Sequence, residues 1–273
     1  MSALTTSVEA TSAPRRDRIV WALPIAFGMV VVGLWQYLSH HGSVDPFYFS
    51  RPSAIAARVQ DWLTSGFLYR HLSVTLREAF CAFVLGAVAG LAAGLLLARL
   101  PWLDWMIGPY LRMANAVPRI VLAPIFVLWF GLGMASKVAL GVTLVFFVVF
   151  FNTYQGVRDV DPAVLDNARL LGASERQLAR NVLLPSALSW IFSSLHVSVG
   201  LALIGAVIGE YLGSTEGIGY VIAQGEGLFD TTAVFAGMAV LMVVVLVVDH
   251  LVSRLERRLL RWKPPSADTR GRR

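Results

Sequence analysis

Six stretches of this sequence are almost free of charge, and each is about as long as a bilayer is thick. Residues 19–38, 79–98, 120–136, 138–157 and 231–248 contain no Asp, Glu, Lys or Arg, and 181–209 holds only the titratable His196. A helix needs about 20 mainly apolar residues to cross the hydrocarbon core. Backbone amides in lipid must be satisfied within their own segment, which selects helices over open strands. The alternating pattern of a membrane barrel is absent. The expected fold class is therefore all-α: a polytopic membrane protein with about six transmembrane helices.

Charge gives the orientation. The formal net charge is +6, but its placement does not match a nucleic-acid footprint, and no groove-reading motif accompanies it. With the N-terminus inside and six crossings, 18 of the 23 Lys and Arg fall inside. The five outside are Arg51, Arg58, Arg70, Arg77 and Lys137. Cytoplasmic loops carry this excess, so both termini are expected in the cytoplasm of a plasma-membrane protein, with anionic lipid as counter-charge and no nucleic-acid partner. Arg15 and Arg16 precede the first apolar run as in a signal peptide. That run is longer than a signal core and lacks a small-x-small site after it, so it reads as a retained anchor.

Local patterns add detail. Ile55, Val59, Trp62 and Leu63 fall at i, i+4, i+7 and i+8, an amphipathic helix on the outer side. Ala82, Gly86, Gly90, Gly94 and Ala98 line one face of the second span, a strip that lets helices approach closely, with packing inside the chain favoured over a dimer contact. The lone Cys81 reads as a packing residue and excludes an intrachain disulfide, and no metal, cofactor or catalytic constellation stands out. Neither Lys137 nor Lys263 lies in a phosphate-binding G-x4-G-K-[ST] loop. The chain is thus expected not to be an enzyme. Two polar residues are candidates for a transport pathway. His196 is flanked by Ser193, Ser194 and Ser198 at membrane depth, where polar groups mark pathways or helix–helix bonds. Glu210 stands at the outer end of span five, before an acidic loop that is either solvated or a contact for an outside partner. Arg77 and Glu78 read as anchors at the outer end of span two.

The segment between spans four and five, 158–185, is organised rather than a linker. Asp161-Pro162 is a helix start. Leu165, Ala168 and Gly172 share a face, and Gly172 ends that helix. Ser174-Glu175-Arg176-Gln177 is a capping box opening a second short helix, and Pro185 is read as its end.

The residues Asp166, Asn167, Ala168, Gly172, Val182, Leu184 and Pro185 reproduce the spacing of the E-A-A-x3-G-x9-I-x-L-P loop of ABC importer permeases. They depart from it in identity at 166, 167 and 182. From about Leu72 to Trp262 the chain resembles that family, most closely its nitrate/sulfonate/taurine branch. Val117-Pro118, Trp129-Phe130-Gly131 and Gly217-Ile218-Gly219-Tyr220 support the likeness. The resemblance implies a type I importer architecture and a coupling loop that fits a separate ABC-type ATPase. It implies a periplasmic or extracellular substrate-binding protein, a homodimer of permeases and a bacterial inner-membrane location. The solute would be small, such as a sulfonate, taurine or nitrate. The expected layout is a tail at 1–18, the first helix and outer segment at 19–71, a five-helix core at 72–262 with its coupling loop at 158–185, and a tail at 263–273. The rival reading, an ion-coupled secondary transporter, needs charges buried at mid-membrane, and among the six uncharged stretches only His196 is available.

Overall fold

The computed structural model describes residues 16–259. Of the expected tails at 1–18 and 263–273, residues 1–15 and 263–273 lie outside the described residues, as does the interfacial anchor at Arg261 and Trp262, while 16–18 open the first helix. In chain order the elements are α1 (Arg16–His40), α2 (Pro46–Phe49), α3 (Pro52–Thr64), α4 (Phe67–Arg99) and α5 (Pro101–Ala116). A 3-10 turn (Arg119–Leu122) leads into α6 (Ala123–Phe130), followed by α7 (Met134–Arg158), α8 (Pro162–Leu170) and α9 (Glu175–Leu178). A π turn (Ala179–Leu183) runs into α10 (Leu184–Leu212), and α11 (Ile218–Gly227) and α12 (Thr231–Leu259) close the chain.

Small residues build the centre. A Cβ placed on Gly86 would meet Val145, one on Gly90 the Phe146 carbonyl, and one on Gly94 Thr153. The glycine strip of α4 therefore lies directly on α7, as the intrachain reading expected. The contacts 86–145, 90–149 and 94–153 advance together, so α4 and α7 run parallel. α10 packs on α7 as well: Gly205 faces Gly141, Gly209 faces Lys137 and Trp190 faces Gly156. Here the numbers run in opposite directions, so α10 is antiparallel to α7. Without a hydrophobic drive between helices in lipid, close backbone approach supplies the attraction. Each glycine of this interface removes a methyl that would hold two axes apart.

The parallel pair fixes the path between them. A chain leaving α4 at one face must recross the membrane before entering α7. The pair α5 and 119–130, bent by 91° at a short break, makes that crossing. The expected span at 120–136, in which Pro118 and Pro124 read as kinks, thus begins earlier, at Pro101, and is broken sharply beside Pro118 rather than gently bent. Pro118 and Pro124 each lack a backbone donor, Gly131 takes φ +76°, and α6 is only 8 residues long. Apolar composition alone conceals such a break.

Around this core, α3 packs against α12. Ile55 and Trp62 are buried with Leu68, Ile218, Val221 and Ala236, whereas Leu63 is exposed. α1 is largely exposed from Leu23 to Val32, and Ser39 near its end is buried, its Oγ donating to the Ser50 carbonyl at 3.4 Å. Trp35 against Phe235, with centroids 5.6 Å apart, and the Ser53 amide donating to Gln36 Oε1 at 3.0 Å are its ties.

Candidate coupling hairpin and pathway residues

The hairpin at α8 and α9 is built by its caps. Asp161 Oδ1 accepts the Ala163 amide at 2.8 Å and Pro162 opens the helix. At the other end the Gly172 amide returns to the Arg169 carbonyl at 2.9 Å and the Ala173 amide to Ala168 at 3.0 Å. Gly172 holds φ +84°, a conformation that costs other residues roughly 1 kcal/mol or more. The capping box forms in both directions: the Ser174 amide donates to Gln177 Oε1 at 2.8 Å, and the Gln177 amide to Ser174 Oγ at 3.4 Å. Asp166 lies 3.5 Å from Arg169, Asn167 is exposed and Ala168 half-buried.

Pro185 does not end a helix, which corrects the expected boundary. It sits in the first turn of α10, where its missing donor has no partner to lose, and the π turn before it carries the helix through Val182 into Leu184. The hairpin thus joins span five without a break. Its tip presents Leu170 and Leu171, 84% and 88% exposed. They follow Arg158, beyond the apolar part of α7, so lipid does not cover them. Together they form an exposed apolar pair on the loop between two spans. Behind the tip, a hollow of about 600 Å³ is walled by Arg99, Arg158, Arg169 and Arg176.

A second constellation lies at the opposite end of the bundle. Three successive amides of the turn before α11 each find a side-chain acceptor. Gly217 N donates to His71 Nδ1 at 3.1 Å, Ile218 N to Thr75 Oγ1 at 2.9 Å and Gly219 N to Glu210 Oε2 at 2.7 Å. A side chain on Gly217 would run into the Glu210 carboxyl, and one on Gly219 into the Val207 carbonyl and Glu210. Glu210, 1% exposed, is therefore neither solvated nor part of an open loop. Glu78 faces it, and Lys137 lies within electrostatic reach of both. The Lys137 ammonium donates to the Leu132 and Gly133 carbonyls. Glu78 and Lys137, 3% and 0% exposed, are buried within α4 and α7, so Glu78 is not the surface anchor that the sequence suggested. Sequence reasoning missed them because a charge-cleared window begins α4 at Ala79 and α7 at Val138. Their signal was present in the helix starts: Gly66 at φ +79° precedes α4 and Gly133 precedes α7.

Two acidic residues flanking α11 are paired with distant arginines. Arg70 pairs with Glu216 at 2.5 Å and Arg58 with Asp230 at 2.7 Å. The Arg70 guanidinium holds the Glu216 carboxyl below its ordinary value of 4.5. Partial desolvation pushes Asp230 up, but Arg58 and the Ala233 and Thr232 amides outweigh it and hold the group below 3.8.

His196 bridges α10 to α12, with Nδ1 2.8 Å from Glu256 and Nε2 3.1 Å from Asp249. This is the helix–helix bond that the sequence offered as the alternative to pathway lining. One further cation was placed among inside residues by the sequence. Arg119 lies just after the break between α5 and α6, its guanidinium 4.9 Å from the centre of the Phe147 ring.

With capped hairpin, glycine-packed core and broken span in place, the comparisons decide the family. The profile of the binding-protein-dependent transport system inner membrane component matches residues 86–261. The chain belongs to this family. A putative aliphatic sulfonates transport permease of Bacillus subtilis is 34% identical over 92% of this chain and 91% of its own. A riboflavin transport system permease of Chloroflexus aurantiacus is 33% identical over 90% and 93%. An inward-facing structure of the MetNI methionine ABC transporter superposes with a TM-score of 0.60 at 20% identity, covering 71% of this chain and 94% of that one. The chain is a multi-pass permease subunit of an ABC importer, consistent with the nitrate/sulfonate/taurine branch. The ion-coupled carrier finds no support among these relatives. The helices do hold buried charged residues besides His196, namely Glu78, Lys137 and Glu210. Glu210 holds the α11 turn and Lys137 the α6–α7 connection.

Proposed function

We propose that α8 and α9 form the surface on which a separate ABC-type ATPase docks, and that two copies of this chain form the path for a solute delivered from outside by a binding protein. The orientation is N- and C-termini inside. The observation that carries the reading is the exposed Leu170-Leu171 tip on a doubly capped, rigid hairpin. It continues directly into the π turn and α10, so a push on the tip moves a full-length membrane helix. Asp166, Asn167, Ala168, Gly172, Val182, Leu184 and Pro185 belong to this coupling element. The acidic outer loop and its arginine partners face the side from which the binding protein delivers. Glu210 and His196 act on the path by holding its helices, Glu210 through the α11 turn and His196 through α12. The solute class follows the branch: a sulfonate or a taurine-like molecule.

The test is affinity purification of the chain from mild detergent together with its ATPase. Gly172→Glu sets a charge beside the leucine tip and is expected to insert normally yet lose the ATPase. Gly172→Ala shares the backbone strain without the charge, and is expected to retain most of it. Undiminished co-purification of Gly172→Glu would sink the docking assignment.

A further inference from the structure

Arg119 is the feature that the permease reading leaves unexplained. Phe147, on which its guanidinium lies, is at the middle of α7, and α7 crosses the membrane. The cation is therefore near mid-depth, about 15 Å from either headgroup layer. A charge there is costly and is retained where it faces a pathway or a partner charge. Arg119 has no partner charge among the described residues. Its Nη2 donates to the Asn115 side-chain and main-chain oxygens, and its Nε is buried without a hydrogen bond. Its Nη1 has no partner among the described residues. The neighbouring Val117, Ile120 and Val121 are exposed, so this side of the break is not covered by the chain's own helices. The break itself is irregular backbone at membrane depth, which is tolerated where it is buried in protein or lines a water-filled cavity.

We infer that Arg119 is the anion-recognising group of the translocation path, receiving the oxyanion of an anionic or zwitterionic solute at mid-membrane. This rests on the importer reading above and narrows it. A guanidinium with open donors binds planar or tetrahedral oxyanions through charge-assisted bonds, and the Phe147 ring fixes its plane from below. A lipid headgroup does not reach this depth while Asn115 tethers the side chain. Neutral solutes gain nothing from the charge. Arg119 is thus a specificity residue separating sulfonate-type cargo from flavin-type cargo among the family's solutes.

The experiment uses proteoliposomes holding the chain with its ATPase and binding protein, with ethanesulfonate as the anionic probe and riboflavin as the uncharged one. Wild type is expected to import ethanesulfonate. Arg119→Gln is expected to lose import by roughly tenfold or more, the scale of one charge-assisted contact, while still co-purifying with the ATPase. Arg119→Lys, which keeps the charge, is expected to restore most of the transport. Equal import by Arg119→Gln and wild type would overturn the inference and leave the permease reading intact. So would a wild-type complex that holds its ATPase but imports riboflavin alone, or no ethanesulfonate. A chain that neither binds an ATPase nor transports would overturn both.

Discussion

At the scale of single residues, the turn before α11 shows how a membrane protein satisfies backbone at depth without a helix. His71, Thr75 and Glu210 each take one amide from Gly217-Ile218-Gly219, and an unpaired buried donor is expensive. Glu210→Ala strands the Gly219 amide and is expected to destabilise the detergent-solubilised protein by about 2 kcal/mol. Glu210→Gln keeps an oxygen acceptor and is expected to cost less than about 1 kcal/mol. Thermal unfolding of the two variants gives the comparison, and equal losses would show that the carboxylate charge, not the amide bond, holds the turn. The Gly-Ile-Gly-Tyr run was legible as part of a family likeness. What the glycines are for was not, because their partners lie nearly 150 residues earlier on α4 and ten or fewer before them on α10. No local pattern links the two.

At the scale of elements, the sequence was a good guide wherever local chemistry decides. The Asp161 cap, the Ser174–Gln177 box and the Gly172 turn all form as their residue types require, and the α4 glycine strip meets α7 as small residues in lipid should. It was a poor guide where tertiary pairing overrides composition. α4 begins at Phe67, not near Ala79, because His71, Thr75 and Glu78 are sheltered by α10 and α11. The span at 120–136 is broken because two prolines and Gly131 interrupt a run that hydropathy scores as continuous. Gly205, whose Cβ would meet the Gly141 backbone, is the test of the tight α7–α10 contact. Gly205→Leu must separate the helices or fail to pack, and overpacking of this kind costs about 1–3 kcal/mol. It is expected to lower the unfolding midpoint, while Gly28→Leu on α1, with open space around it, leaves the midpoint unchanged. An unaffected Gly205→Leu would contradict the close approach.

At the scale of the whole molecule, two ion pairs fasten the segments flanking α11 and the parallel core sets the topology. Glu216 and Asp230 have depressed folded pKa values, so their contribution is present above 4.5 and 3.8 and is lost as pH falls through the lower folded values. The contribution of these two pairs should therefore be level from neutral pH to about pH 5 and decline below. Arg58→Gln, by removing the partner of Asp230, should flatten part of that decline; an identical acid profile would show that the Arg58–Asp230 pair contributes nothing to it. Topology admits a sharper test. Since α4 and α7 are parallel, the bent pair must cross, and six crossings put the α8–α9 tip and the loop after α11 on opposite sides. If the pair were re-entrant, α7 and everything after it would be inverted relative to α4, and the packing of Gly86, Gly90 and Gly94 on α7 would be impossible. With Cys81 replaced by Ser, single cysteines at the exposed Leu171 and Leu228 positions report the two sides. A membrane-impermeant maleimide is expected to label Leu228→Cys in intact cells and Leu171→Cys only after permeabilisation. Labelling of both in intact cells would place the hairpin outside, where no ATPase could reach it, and would refute the orientation and the docking surface together.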